Sequence, residues 1–249
     1  MTNTMTNSFT VFYKQIIDTL KNKTVLIQFL MFPLMTLIMN NAINIEGLSE
    51  NYFVELFSSM FIGMAPLVVS CAIVAEEKEN GTLLALNMSG VRPLEYLLGV
   101  GSYVWLSCML GGVVMSLSGN YATHQRIAFL LVMAVGICIS LILGTSIGIV
   151  SRSQMQATSL SVPMMMVFSF LPMISMFNEQ VKKLAHYTYT YQLQTLLSCI
   201  GSTDRLSTSS GISISSLLLE NKESLLILGA NFIVVLCFFI FTYKKNGLD

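Results

Sequence analysis

The chain has 249 residues, 54% of them hydrophobic and 10% charged, with 13 basic and 13 acidic side chains and a formal net charge of zero. Soluble domains carry about 25% charged residues, and the mean hydropathy here is +0.70. Water is therefore not the main solvent of this protein, and the zero net charge implies no polyanion-binding surface, so nucleic acid is not an expected partner.

The first residues, "MTNTMTNSFTVFYKQIIDTLKNK", hold no apolar core followed by a small-residue cleavage site, so no cleavable signal peptide is expected. From Ser8 to Asn22, the residues Phe9, Phe12, Tyr13, Ile16, Ile17 and Leu20 recur at helical spacing, with Lys14, Asp18 and Lys21 between them. That pattern predicts an amphipathic interfacial helix over 8–22. Six apolar segments come next, at 25–45, 53–75, 94–117, 127–150, 157–177 and 224–243, each of a length to cross the hydrocarbon. The expected fold is an all-α membrane protein with one transmembrane domain over 1–249. Cys71, Cys108, Cys138, Cys199 and Cys237 lie mostly inside apolar runs and outline no disulfide framework.

Between the second and third spans runs "AEEKENGTLLALNMSGVRPLEYLLG", from Ala75 to Gly99. Glu76, Glu77, Lys78 and Glu79 cannot rest in hydrocarbon, and Gly81, Gly90 and Pro93 punctuate the residues after them. Residues 76–92 read as a short element held at the membrane surface. Its acidic side chains are expected to face water, with Leu83, Leu84 and Leu86 turned inward.

Lys and Arg set the orientation. Lys14, Lys21, Lys23, Lys78, Arg92, Arg152, Lys244 and Lys245 fall on one side; Arg126, Lys182, Lys183, Arg205 and Lys222 fall on the other. Both termini and residues 76–92 are expected in the cytoplasm, and 178–222 outside. "NEQVKKLAHYTYTYQLQTLLSCI" is too apolar for a plain loop and too short to span. It predicts one or two short helices dipping into the outer leaflet, then a flexible Ser/Thr stretch over 202–216, with the irregular backbone covered by protein.

In the fourth span Gly136, Ser140, Gly144 and Gly148 recur every four residues and share one helix face, where backbones can approach closely. Packing within one subunit and a seam between two subunits both fit that stripe. The catalytic inventory is sparse. His124 and His186 lie in different outer segments, Glu76–Glu77 lacks the arginine of a glutamate-pair protease, and no P-loop is present. The spans carry almost no ionisable residue apart from Glu55, which argues against an ion-coupled carrier.

The stretch "EEKENGTLLALNMSGVRPLEYLLG" resembles the cytoplasmic junction of the type-2 ABC-transporter permeases, in which an E-x-E-x-G-T-L/E-x-x-L pattern comes after the second span. Glu77, Glu79, Gly81, Thr82, Leu83, Leu86, Ser89, Val91, Tyr96 and Gly99 fit it, with Arg92-Pro93 a small variation. "SVPMMMVFSFLPMISMFNEQVKKLAHYTYTYQLQTLL" is similar to the family's fifth span and outer re-entrant pair, through Pro163, Phe168, Ser169, Pro172, Leu184, Thr190 and Tyr191. Where many members place a proline before Thr-Tyr, this chain has "HYTYTY". The resemblance covers nearly the whole chain.

It implies a permease subunit of an ATP-driven exporter in the cell membrane, with bacterial plasma membrane as the expected setting. Two copies of an ABC ATPase subunit and a second permease copy or paralogue are the implied partners. ATP and Mg belong to the ATPase, and no cofactor or metal is expected in this chain. The resemblance assigns ATPase coupling to Glu76, Glu77, Glu79, Gly81, Thr82, Leu83 and Leu86. A substrate path is expected along Gly63, Pro66, Met165, Phe168, Pro172 and Met176, because prolines let a span bend and methionines form adaptable apolar walls. The cargo class is apolar or amphipathic: a peptide, a drug or a lipid-like molecule. A membrane-embedded immunity or binding protein, and an intramembrane enzyme, are the alternatives to transport.

Overall fold

The computed structural model describes residues 2–43, 49–202 and 222–246, and no strand occurs among them. Ten helices are described, in chain order: α1 Thr2–Lys21, α2 Lys23–Ala42, α3 Tyr52–Glu79, α4 Thr82–Met88, α5 Pro93–Ser118, α6 Thr123–Val150, α7 Gln154–Ile174, α8 Glu179–Ala185, α9 Tyr189–Ser202 and α10 Lys222–Asn246. Six of them, α2, α3, α5, α6, α7 and α10, are long and apolar enough to cross a membrane. They coincide with the six expected segments, with ends displaced by a few residues. α7 begins at Gln154 because the Ser153 hydroxyl caps it, accepting from the Gln156 amide at 3.3 Å. The Ser/Thr stretch expected to be flexible lies almost wholly outside the described residues.

α3 occupies the centre of the bundle. It is buried along most of its length, whereas α2, α7 and α10 leave most of their apolar surface open. The reason is visible in the small side chains that surround it. Gly144 of α6 lies so close that an added Cβ would overlap the Leu67 carbonyl and the Ser70 hydroxyl of α3. At Gly148 the same atom would come within 2.9 Å of the Cys71 carbonyl oxygen and of Val74 Cβ. Gly136 receives Ile62 of α3 and Leu193 of α9. The small stripe of α6 is therefore spent on packing inside one chain.

On the other flank of α3, a Cβ at Gly63 would lie 2.9 Å from the Phe168 backbone carbon of α7. The Ser169 hydroxyl donates to the Met60 carbonyl at 3.0 Å across the same contact. α7 stays helical through Pro163 and Pro172. Such close approach maximises dispersion contacts and allows hydrogen bonds between helices, which hold a bundle where lipid competes for apolar surface.

α8 and α9 form the expected pair of short helices between α7 and α10. The Tyr189 hydroxyl, at the start of α9, pairs with Ser140 at 2.8 Å. Near its end, the Ile200 carbonyl accepts from Gln125 at 3.3 Å. Ser140 and Gln125 lie roughly 20 Å apart along α6, so α9 runs alongside α6 from mid-helix to its start. The terminus carrying α8, α9 and the α5–α6 turn is termed the cap end, and the one carrying α4 the junction end.

An added methyl at Gly144 has nowhere to go, and overpacking of this kind costs about 1–3 kcal/mol. Gly144→Ala is expected to lower the thermal unfolding midpoint of the chain in nanodiscs by several degrees. Gly229→Ala, where no atom lies within 4 Å of the new Cβ, is expected to leave it unchanged or slightly raised.

Candidate functional site

At the junction end, α3 continues four residues past the expected span, through Glu76–Glu79, and the chain then turns sharply. Gly81 and Gly90 adopt left-handed backbone at φ 66° and 89°, and no other described residue has positive φ. Gly81 lets the chain leave α3, and Gly90 closes α4, with the Val91 amide reaching back to the Leu86 carbonyl at 3.1 Å. Arg92 is extended, as a residue before proline should be, and Pro93 opens α5. α4 is thus a short helix between two left-handed glycine turns, seated on the bundle by Leu83 and Leu86.

The side chains of α4 divide by helical spacing. Leu83 is buried and Leu86 half-buried, three residues apart on one face, while Thr82 is half-buried at the start. Leu84 is 57% exposed and Met88 83% exposed. Leu84 therefore points outward, contrary to expectation. Successive residues on a helix diverge by about 100°, so Leu83 and Leu84 cannot both face the bundle. The result is an open apolar face on α4, at an end of the molecule beyond the spans.

The acidic cluster divides as well. Glu79 is exposed and accepts from the Gln154 amide at 2.6 Å, a carboxylate placed at the N-terminus of α7. Glu76 is half-exposed and accepts from the Gln154 side chain at 3.5 Å. Lys78 donates to the Ile149 carbonyl near the end of α6 at 2.6 Å. Glu77, expected to face water, is only 7% exposed. Its Oε1 accepts from Lys14 Nζ at 2.8 Å and from the side-chain amide of Gln15, both on α1. Four consecutive residues on a helix cover every direction around it, so a run of four charges must send at least one inward.

α1 reaches the start of α5 too. Asn7 donates to Glu95 Oε2 at 2.8 Å, and the Ser8 hydroxyl to the Glu95 carbonyl at 3.0 Å. The same Glu95 carboxylate oxygen accepts the Arg92 amide at 3.1 Å. Gly99 lets the two helices touch: a Cβ there would lie 2.7 Å from Val11 Cβ. Val11, Gln15 and Thr19 are buried, while Phe9, Tyr13 and Leu20 remain exposed. Sequence reasoning missed Lys14, Gln15, Asn7, Ser8 and Glu95 as parts of this site. The signal that could have found Ser8 and Gln15 was a second stripe of α1, where Ser8, Val11, Gln15 and Thr19 repeat at helical spacing on a different face from the aromatic one. No spacing marks Asn7, Lys14 or Glu95.

Between α1, the start of α2, the end of α3 and Thr82 lies a recess of about 680 Å3, lined by polar side chains including Lys14, Asp18, Glu76 and Asn80. No group of three metal-ligating side chains occurs among the described residues. The residues expected along a substrate path are not brought together on one surface. Gly63, Pro66 and Pro172 are buried; Met165 and Phe168 are half-buried, and the Phe168 ring lies 5.0 Å from that of Tyr189. Met176 is exposed beside Tyr52, whose hydroxyl donates to its sulfur at 3.5 Å. The open face of α7 carries instead Met164, Met166, Val167, Phe170 and Met173.

The family model described as ABC-2 family transporter protein matches residues 1–244 of this chain. No curated protein matches it significantly.

A side chain at either left-handed position strains the backbone even though no atom lies within 4 Å of the new Cβ. Gly81→Ala and Gly90→Ala are each expected to cost about 1 kcal/mol. Both should increase protease cleavage within 80–92 in sealed vesicles oriented with the junction end outward. Cleavage at the wild-type rate in both variants would show that the turns do not depend on glycine.

Proposed function

The chain belongs to the ABC-2 transporter family, and from that membership we propose that it is the permease subunit of an exporter, with α4 as the helix that receives the motion of a separate ATPase. One observation carries this reading. Beyond the spans, two left-handed glycines hold out a short helix with an unpartnered apolar face, formed by Leu84, Ala85 and Met88. Glu76 and Glu79 stand beside it, and Leu83 and Leu86 anchor it from within. A partner with an apolar groove rimmed by basic residues fits that face.

In this reading the junction end and both termini are cytoplasmic and the cap end faces out, in keeping with the Lys and Arg distribution. The protein sits in a cell membrane, with the bacterial plasma membrane as the setting its family suggests. Two permease chains, identical or paralogous, work with two ATPase copies, which bind ATP and Mg. α8 and α9 act as a re-entrant cap that closes the path on the outside. The path itself runs along α7, with Met165, Phe168 and Met176 grading into the open methionine-rich face, and with Gly63, Pro66 and Pro172 fixing how α3 and α7 pack behind it. Such a wall suits an apolar or amphipathic cargo moved outward.

Leu84→Asp with Met88→Asp is expected to abolish co-purification of the ATPase encoded with this permease, while the chain still inserts and melts at the wild-type temperature. Undiminished association would remove α4 as the docking helix. Orientation has its own check. In a background lacking native cysteines, an impermeant thiol reagent added outside cells should label Gln180→Cys and spare Asn80→Cys. Labelling of position 80 from outside would invert the topology.

A further inference from the structure

α4 is an excursion with two stems, the last turn of α3 and the first turn of α5. Each stem carries a buried carboxylate, Glu77 at 7% exposed and Glu95 at 5%. Both carboxylates take donors from the same element: Lys14 and Gln15 of α1 for Glu77, and Asn7 of α1 for Glu95. About two helical turns separate Asn7 from Lys14, so α1 spans the root of the excursion. We infer that Lys14 and Glu77 are a positioning pair, through which α1 holds both stems of α4 and sets the angle at which α4 meets its partner.

The inference rests on the reading of α4 as the ATPase contact, and it changes the part assigned to Glu77. A carboxylate this enclosed, with Oε1 shared between two donors of the same chain, cannot reach an external basic groove without leaving Lys14. Lys14 also has Asp18 at 4.0 Å, on its own helix, so its charge is held from both sides. Its side chain is 33% exposed, which leaves the pair partly screened and able to yield under load. Glu79, bound to the start of α7, belongs to the opposite flank, whereas Glu76 also lines the recess beside α1. Force applied to α4 is thereby shared among α1, α3 and α5.

The test uses the complex of this chain with its ATPase in proteoliposomes, and the chain alone in phosphatidylcholine nanodiscs. Lys14→Met, Glu77→Gln, their combination and Lys14→Arg are compared. Lys14→Met and Glu77→Gln should each reduce ATP hydrolysis by the complex about fivefold, with the ATPase still co-purifying in full. The combination should be no worse than the more severe single change, because one interaction cannot be lost twice. Lys14→Arg should keep at least half of the activity, which a loss of bulk packing would not explain. In the chain alone, amide hydrogen exchange over 82–90 should rise in both single variants. The inference is overturned if Glu77→Gln releases the ATPase while Lys14→Met is silent, since Glu77 is then the docking contact. It is overturned equally if exchange over 82–90 stays at the wild-type level. If exchange rises as expected but no ATPase associates with the wild-type chain, the positioning pair stands and the assigned function of α4 falls.

Discussion

In hydrocarbon an apolar side chain gains little by leaving lipid for another helix, so a bundle is held by close fit and by hydrogen bonds between helices. That constraint explains the placement of α3. Gly144 and Gly148 bring α6 against its backbone on one flank, and Gly63 admits the backbone of α7 on the other. Ser70 donates across to the Leu141 carbonyl at 3.3 Å, and Ser169 to Met60 at 3.0 Å. A helix gripped this way on two sides is poorly able to bend on its own.

Both ends of α3 are tied to neighbouring helices through charged side chains. At the junction end Glu77, Lys78 and Glu79 attach it to α1, to the end of α6 and to the start of α7. At the cap end Glu55 is buried beside Gly201 of α9, where an added Cβ would overlap its carboxylate. Tyr189 and Leu193 seat the rest of α9 on α6 at Ser140 and Gly136. The small stripe of α6 therefore serves two contacts at once, with α3 along its lower part and with α9 above. A continuous set of packed contacts leads from the α4 junction toward the cap.

The sequence made the spans legible because a run of about 20 apolar residues has one physical meaning. It also marked Gly81 and Gly90 as turns and the Gly136–Gly148 stripe as a place of close contact. What it withheld was direction. Nothing in "EEKE" says which carboxylate turns inward; that depended on Lys14, 63 residues earlier, and on where α1 lies. Leu84 was assigned to the wrong face because α4 is too short for its three leucines to define a stripe by themselves. The depth of α9 was equally hidden, since "YTYQLQTLL" mixes polar and apolar residues in a way that fits a surface helix or a half-buried one. Gly63 and Phe168 lay at positions suited to lining a path, but whether a glycine opens space or closes it depends on the helix opposite, here α7.

The proposed role of α4 requires that movement received there be delivered to the cap. The most direct measurement is the distance between spin labels on Glu179→Cys of α8 and Thr123→Cys of α6, both exposed at the cap end. Labelled chains are diluted with unlabelled ones, and the complex is read with its ATPase open and then trapped with nucleotide and vanadate. The account predicts that the distribution shifts by several ångströms on trapping, and that Leu84→Asp with Met88→Asp removes the shift. An unchanged distribution in a complex that goes on hydrolysing ATP would contradict it.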